Sequence, residues 1–122
     1  MSSRPKWPNG RYADDPEYRE RKRAQSRVSR AWQRRADPDY YRDKQRARRY
    51  RISVLEIRAI LAAQDRACAI CKRSDRKLLL DHCHATGKVR RFLCTGCNIA
   101  IGCFHDDPNL TDAATAYLKL FA

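Results

Sequence analysis

Two Cys-x-x-Cys pairs, Cys68-Ala69-Ile70-Cys71 and Cys94-Thr95-Gly96-Cys97, stand 22 residues apart in a chain of 122. Two residues between thiolates let one tight turn aim both sulfurs at a single ion. Two such knuckles complete the closed, tetrahedral four-thiolate set that structural zinc prefers. The spacer is somewhat longer than the usual ~15–20 residues, which leaves room for a hairpin between the knuckles. Disulfides are the other reading of six cysteines. No apolar stretch follows Met1-Ser2-Ser3-Arg4, so no secretory signal argues for an oxidising compartment, and paired knuckles fit a metal better. Cys83 and Cys103 are left over and read as small thiols; His105 reads as a surface residue.

Between the knuckles lies Asp81-His82-Cys83-His84, and Asn98 directly follows the last cysteine. The Asp81 carboxylate and the Asn98 amide oxygen are hard donors, suited to Mg²⁺ or Mn²⁺ and not to a thiolate-bound zinc. His82 carries an imidazole, the side chain best suited to take a proton from water at neutral pH. A His-activated water attacking phosphorus beside a divalent cation is a complete route to phosphodiester hydrolysis. Lys88, Arg90 and Arg91 add cations where a phosphate would sit. Each piece has a plainer reading alone. An Asp-His dipeptide arises by chance, a single His is commonly structural, and an Asn after a knuckle often caps a helix. Their joint placement inside a four-cysteine frame carries the chemical reading.

The elements that must position these groups are legible in outline. Lys77-Leu78-Leu79-Leu80 reads as a strand, Ala85-Thr86-Gly87-Lys88 as a turn with Gly87 free to take positive φ, and Val89 to Leu93 as the return strand. Ile99-Ala100-Ile101-Gly102 suits a short helix opened by Asn98. Upstream, Ser53-Val54-Leu55-Glu56 is a capping box, with Ile52 and Ile57 as its hydrophobic staple. The helix it starts carries Val54, Ile57 and Leu61 on one face and should end near Gln64-Asp65. A final helix, with Leu110, Ala113, Ala114, Tyr117, Leu118 and Phe121 on one side, is expected to cover the core.

The chain holds 27 Lys and Arg against 14 Asp and Glu, a net charge of +13. Residues 1–51 carry 17 and 7 of these, a net of +10, and no cysteine. They form a basic arm, and residues 52–122 form the cysteine-bearing domain. In the arm, Asp15-Pro16-Glu17-Tyr18 recurs as Asp37-Pro38-Asp39-Tyr40, each copy able to cap and start a helix. Two helices over 16–35 and 38–51 are expected, the first with a thin apolar stripe of Ala24, Val28, Ala31 and Trp32. Such an arm can lay Arg27, Arg30, Arg34 and Arg46 along DNA phosphates, or it can be a solvated extension whose charge keeps the chain soluble. Phosphate contacts carry no base sequence. The longest apolar run, Ala59 to Ala63, is far too short to span a membrane.

Cys68-Ala69-Ile70-Cys71, Leu80-Asp81-His82-Cys83-His84, Gly87-Lys88-Val89-Arg90, Leu93-Cys94, Cys97-Asn98 and Gly102 together resemble the phage recombination endonuclease VII family. That family belongs to the HNH (His-Me finger, ββα-metal) nucleases, and the resemblance runs over residues 52–121. It implies an α+β fold: a small zinc-stapled ββα-metal module behind a mainly helical basic arm. It implies zinc on Cys68, Cys71, Cys94 and Cys97, Mg²⁺ or Mn²⁺ on Asp81 and Asn98, His82 as general base and His84 as a secondary active-site residue. It also implies a DNA substrate, duplex or branched, cut inside the cytoplasm of an infected host cell. The family archetype resolves Holliday junctions as a dimer, so a homodimer, or a phage or host protein partner, is compatible. Cys83 stands where an acidic residue is frequent, and Arg91 where Gly is usual. The archetype's long C-terminal region has no counterpart here, and the basic arm is its expected replacement on DNA.

Two function classes follow. One is a metal-dependent DNA endonuclease; the other is a non-catalytic zinc module that binds nucleic acid, with Asp81, His82 and Asn98 structural. The presence of all three favours the enzyme, since a pure binder has no use for a base beside hard-metal ligands.

Overall fold

The structure, a computed structural model, describes residues 15–122. Among them are five helices and one two-stranded sheet, an α+β arrangement. The elements are α1 (Pro16–Ala36), α2 (Tyr40–Tyr50), α3 (Val54–Ala63), β1 (Leu78–His82), β2 (Val89–Cys94), α4 (Thr95–Cys103) and α5 (Pro108–Leu120). The chain divides into two units that meet in sequence at Arg42 and Asp43. Trp7 and Tyr12 of the expected arm lie outside the described residues.

In the first unit α1 stands by its own sequence. Asp15 caps it, accepting from the Glu17 N–H at 2.9 Å, with Pro16 in the first turn and Arg34 and Arg35 in the last. Proline fits where no N–H partner is needed, and charges of these signs suit the helix dipole. None of its residues is buried, and Val28 and Trp32 are each 71 % exposed. The second Asp-Pro copy behaves differently. Asp37 accepts from the Asp39 N–H at 3.2 Å, and its carbonyl accepts from Tyr40, so Pro38 and Asp39 form a turn and α2 starts at Tyr40.

The second unit begins at Asp43, nine residues before the compositional boundary between 51 and 52, because the latter half of α2 carries core residues. Charge changes at 51; packing changes at 43. At the end of α2 the Ile52 N–H donates to the Ala47 carbonyl at 3.2 Å, across Arg51 at φ 55°. This is the left-handed turn that closes helices, here without glycine. It delivers Ser53 to α3, where the expected capping box is present: Glu56 N–H to Ser53 Oγ at 3.1 Å, and Ser53 N–H to Glu56 Oε2 at 2.7 Å.

β1 and β2 pair antiparallel in a hairpin turned by Gly87 at φ 72°. Leu80 pairs with Phe92 and His82 with Val89, so the register slips by one between them. Arg90 and Arg91 together oppose Asp81, a bulge of the kind that re-aims side chains. Ile57, Leu80 and Phe92 form one core cluster, joined by Ala47, Tyr50, Ile52, Ile60 and Leu61. Cys68, Leu93 and Cys94 form a second, with Ala69, Cys97 and Ile101, and Leu78 touches both. So small a core needs a further staple. The last helix does not supply it. α5 forms at Pro108–Leu120, capped by Asp107, but it buries no residue and Phe121 is 77 % exposed. The expectation that α5 covers the core is therefore corrected: the core clusters draw on α2, α3, the hairpin, the knuckles and α4, and no α5 residue joins them.

Asp43 is buried and joins α2 to α3. It accepts from Arg58 Nε at 2.9 Å and from Arg46 at 3.4 Å. Asp43→Ala should lower stability by about 1–3 kcal/mol, since it removes the buried carboxylate that ties Arg46 and Arg58 together. Urea unfolding of the zinc-loaded protein checks this; an unchanged midpoint would remove Asp43 from the framework. No helix among the described residues is long and apolar enough to cross a membrane.

Candidate metal centre and active site

The first knuckle leaves α3 through Gln64. Its side-chain amide donates to the Ala67 carbonyl (2.6 Å) and the Phe92 carbonyl (2.8 Å), and its oxygen accepts from the Phe92 N–H (2.9 Å). With the Ala69 N–H on the same Phe92 carbonyl at 3.0 Å, Gln64 welds this knuckle to β2. Its role is not visible in the sequence, where a Gln at a helix end marks nothing. The turn itself is tight: the Lys72 N–H donates to the Cys68 carbonyl at 3.0 Å, with Lys72 at φ 63°. The second knuckle is the start of α4, whose cap is Cys94, accepting from the Cys97 N–H at 3.5 Å.

The two turns bring Sγ of Cys68, Cys71, Cys94 and Cys97 within 4.8 Å of one another. Cys71 and Cys94 sulfurs are 3.8 Å apart. Zn–S bonds of about 2.3 Å in a tetrahedron require sulfurs about 3.8 Å apart, so the cluster fits zinc. The thiols respond to their crowding. Burial would raise Cys68, which is wholly buried, but backbone N–H donors of the knuckles overcome this and bring it down to about 6. Burial and the neighbouring thiols push Cys97 up to about 12. One thiolate thus suppresses the next, and a divalent cation relieves that repulsion. Cys83 and Cys103 stay outside the cluster as free thiols; Cys83 is half-buried and Cys103 exposed.

Asp81 lies in β1, buried, facing the bulge in β2. Arg90 grips both its oxygens, at 2.6 Å and 3.1 Å, and reaches Asp106 ahead of α5 at 3.2 Å. Hydrogen bonding to Asp81 pushes the Arg90 pKa up against the cost of burial. Asp81, Arg90 and exposed Arg91 line a shallow groove with Ile70, Leu93 and Ile101. Ile101 is three residues beyond Asn98 on α4, which packs against both strands. Asn98 is half-buried in the first turn of α4 and does not cap it, since Cys94 does. That removes the capping explanation for Asn98.

His82 is not among the residues that line this groove. Its ring packs on Tyr50 (5.3 Å between centroids) and on His84 (4.8 Å). His84 is exposed, as is Lys88 in the hairpin turn. His105, at φ 53°, is exposed as expected. In α1, Arg27, Arg30 and Arg34 are exposed; Arg27 pairs with Glu20 at 2.8 Å, and the Arg34 guanidinium lies 5.7 Å from the Tyr41 ring centre. Arg46 is different. Its side chain is 17 % exposed, paired to Asp43, stacked 5.2 Å from the Phe92 ring centre and donating to the Leu78 carbonyl. It is framework in the second unit, and its expected place among phosphate-lining residues is corrected for that reason.

A family model described as recombination endonuclease VII matches residues 43–120. This chain belongs to that family. The match starts where the second unit starts and takes in both knuckles, the hairpin, α4 and α5. The Gene 59 protein of Mycobacterium phage D29 is 38 % identical over 74 residues, 57 % of this chain and 45 % of that protein. The chain thus spans less than half the length of this curated relative. No solved structure matches the chain.

Proposed function

We propose that this chain is a metal-dependent DNA endonuclease of the HNH, or ββα-metal, type that nicks or cleaves duplex or branched DNA. The observation that carries the reading is the hairpin-and-helix frame: Asp81 and His82 end β1, and Asn98 enters α4 directly after a four-cysteine cluster. The donor chemistry fits a cation. Asp81 and Asn98 would hold Mg²⁺ or Mn²⁺, which when bound supplies Lewis-acid stabilisation of charge on the phosphate oxygens. His82 takes a proton from the attacking water as its oxygen bonds to phosphorus, and the bond to the departing sugar oxygen breaks. Arg90, Arg91 and Lys88 would contact the DNA phosphates, and His84, packed on His82, would be a secondary active-site residue. Zinc on Cys68, Cys71, Cys94 and Cys97 keeps the hairpin and α4 in place and takes no part in the chemistry.

The bidentate Arg90–Asp81 pair favours the second reading, a zinc module that binds nucleic acid without cutting, because it already balances the Asp81 charge. A panel of linear, nicked, flapped and four-way DNA separates the two. Cleavage of any member in Mg²⁺ or Mn²⁺ supports the enzyme; tight binding with no cleavage supports the binder. The family supports action on DNA inside a phage-infected cell, and a homodimer or a phage or host protein partner is compatible with it.

The residues before Asp43 would supply affinity. Replacing Arg27, Arg30 and Arg34 together by Ala should flatten the plot of log affinity against log salt by about 2–3, at about 0.9 for each phosphate no longer neutralised. The rate at saturating DNA should hold. An unchanged slope would return these arginines to a solubilising role.

A further inference from the structure

His82 stands at the last residue of β1, where the register has slipped and the hairpin turn begins. A base in that position has to be aimed. Among the described residues no hydrogen bond reaches its imidazole nitrogens, and the contacts that hold the ring are aromatic. His84 is exposed and comes from the turn side of the hairpin, so it is a poor anchor. Tyr50 is a good one. Its ring joins the Ile57, Leu80 and Phe92 cluster. Its hydroxyl donates to the Leu80 carbonyl at 3.4 Å, two residues ahead of His82 on the same strand. The Arg49 guanidinium lies 5.6 Å from the centre of its ring. The backbone is equally constrained, because Tyr50 ends α2 just before the left-handed turn at Arg51 and the Ile52-to-Ala47 bond.

Tyr50 and His82 ring centroids are 5.3 Å apart, with planes tilted 49°. That lies within the range of favourable aromatic pairs. Tyr50 therefore touches both the strand that carries the base and the base itself, while being fixed by a helix end and a core cluster. We infer that Tyr50 is a positioning residue for His82: its ring sets the orientation of the imidazole for proton transfer. The inference rests on the nuclease reading in which His82 is the base. It assigns a function to a tyrosine that lies outside every motif of the knuckles and hairpin.

The test uses the full, zinc-loaded chain on supercoiled plasmid in Mg²⁺, comparing wild type, Tyr50→Phe, Tyr50→Leu and His82→Ala. A misaimed catalytic group costs rate far more than binding. Tyr50→Leu should lose about tenfold or more in kcat with KM for DNA within about twofold, and Tyr50→Phe should keep at least about half of kcat. In wild type, proton cross-peaks should connect the Tyr50 ring to the His82 imidazole, and Tyr50→Phe should retain them. If Tyr50→Leu sheds zinc or melts early, Tyr50→Met, which refills the volume without a ring, is measured in its place. Full kcat in the ringless variant, failure of Tyr50→Phe to preserve rate, or absence of the wild-type cross-peaks would each overturn the proposal. If His82→Ala nicks at the wild-type rate, the assignment of His82 as base falls, and the role of Tyr50 with it, while the nuclease reading stands. If His82→Ala is inactive while the ringless variant keeps full rate, only the role of Tyr50 falls.

Discussion

His82→Ala should reduce nicking by about 10²–10⁴-fold, the usual worth of a positioned general base. The loss should appear in kcat, with DNA affinity and zinc content as in wild type. The physical reason lies in where the side chain sits. His82 ends β1, is only half-buried, and lies in neither core cluster, so its removal opens no large cavity. A structural role would show as a lowered melting temperature with proportionate loss of activity; a catalytic role shows as lost turnover in a protein that melts normally. Single-turnover nicking beside a thermal melt separates these outcomes. Wild-type turnover in His82→Ala would require another base, and His84, packed at 4.8 Å, would be the first to test.

Removing the structural metal should have the largest effect on folding. Among the described residues the buried hydrophobic set is six, two of them cysteines of the cluster. Domains of this size hold a net stability of about 5–15 kcal/mol at best, whereas four-thiolate zinc contributes about 10–16 kcal/mol in small zinc domains. Cys68→Ser, or a strong chelator, should therefore abolish the cooperative unfolding transition of the second unit. Cys68 is wholly buried and its carbonyl and N–H close the first knuckle, so the serine variant cannot shed the defect to solvent. Metal analysis should find one zinc per chain in wild type, and circular dichroism should show helix lost as it is withdrawn. A chelated protein that melts as before would show that hydrophobic packing alone suffices.

The features legible in the sequence are the local ones. Two residues between cysteines is a geometric requirement of one ion, and Ser53 with Glu56 is a complete capping device within four residues. Gly87 announces the hairpin turn for the same reason, since its φ of 72° is costly for other residues. The features that escape such reading are long-range. Gln64 pairs with Phe92 across 28 residues, Asp43 with Arg58 across 15, and Tyr50 with His82 across the core; no spacing rule links such positions. The bulge at Arg90 and Arg91 is also invisible in composition, yet it decides that Arg90 meets Asp81. Arg46 and α5 depart from expectation in opposite directions. Arg46 gives up its place on a basic surface to a buried carboxylate and an aromatic face, and α5 keeps its apolar side exposed, outside both core clusters.

The central claim is that the frame around Asp81, His82 and Asn98 cuts DNA and does not merely bind it. The most direct measurement is conversion of supercoiled plasmid to nicked circles by the full, zinc-loaded chain, with and without added Mg²⁺ or Mn²⁺. Nicking that requires the added cation is the predicted result. Intact plasmid under both conditions, from protein shown to be folded, zinc-loaded and bound to the DNA, would contradict it.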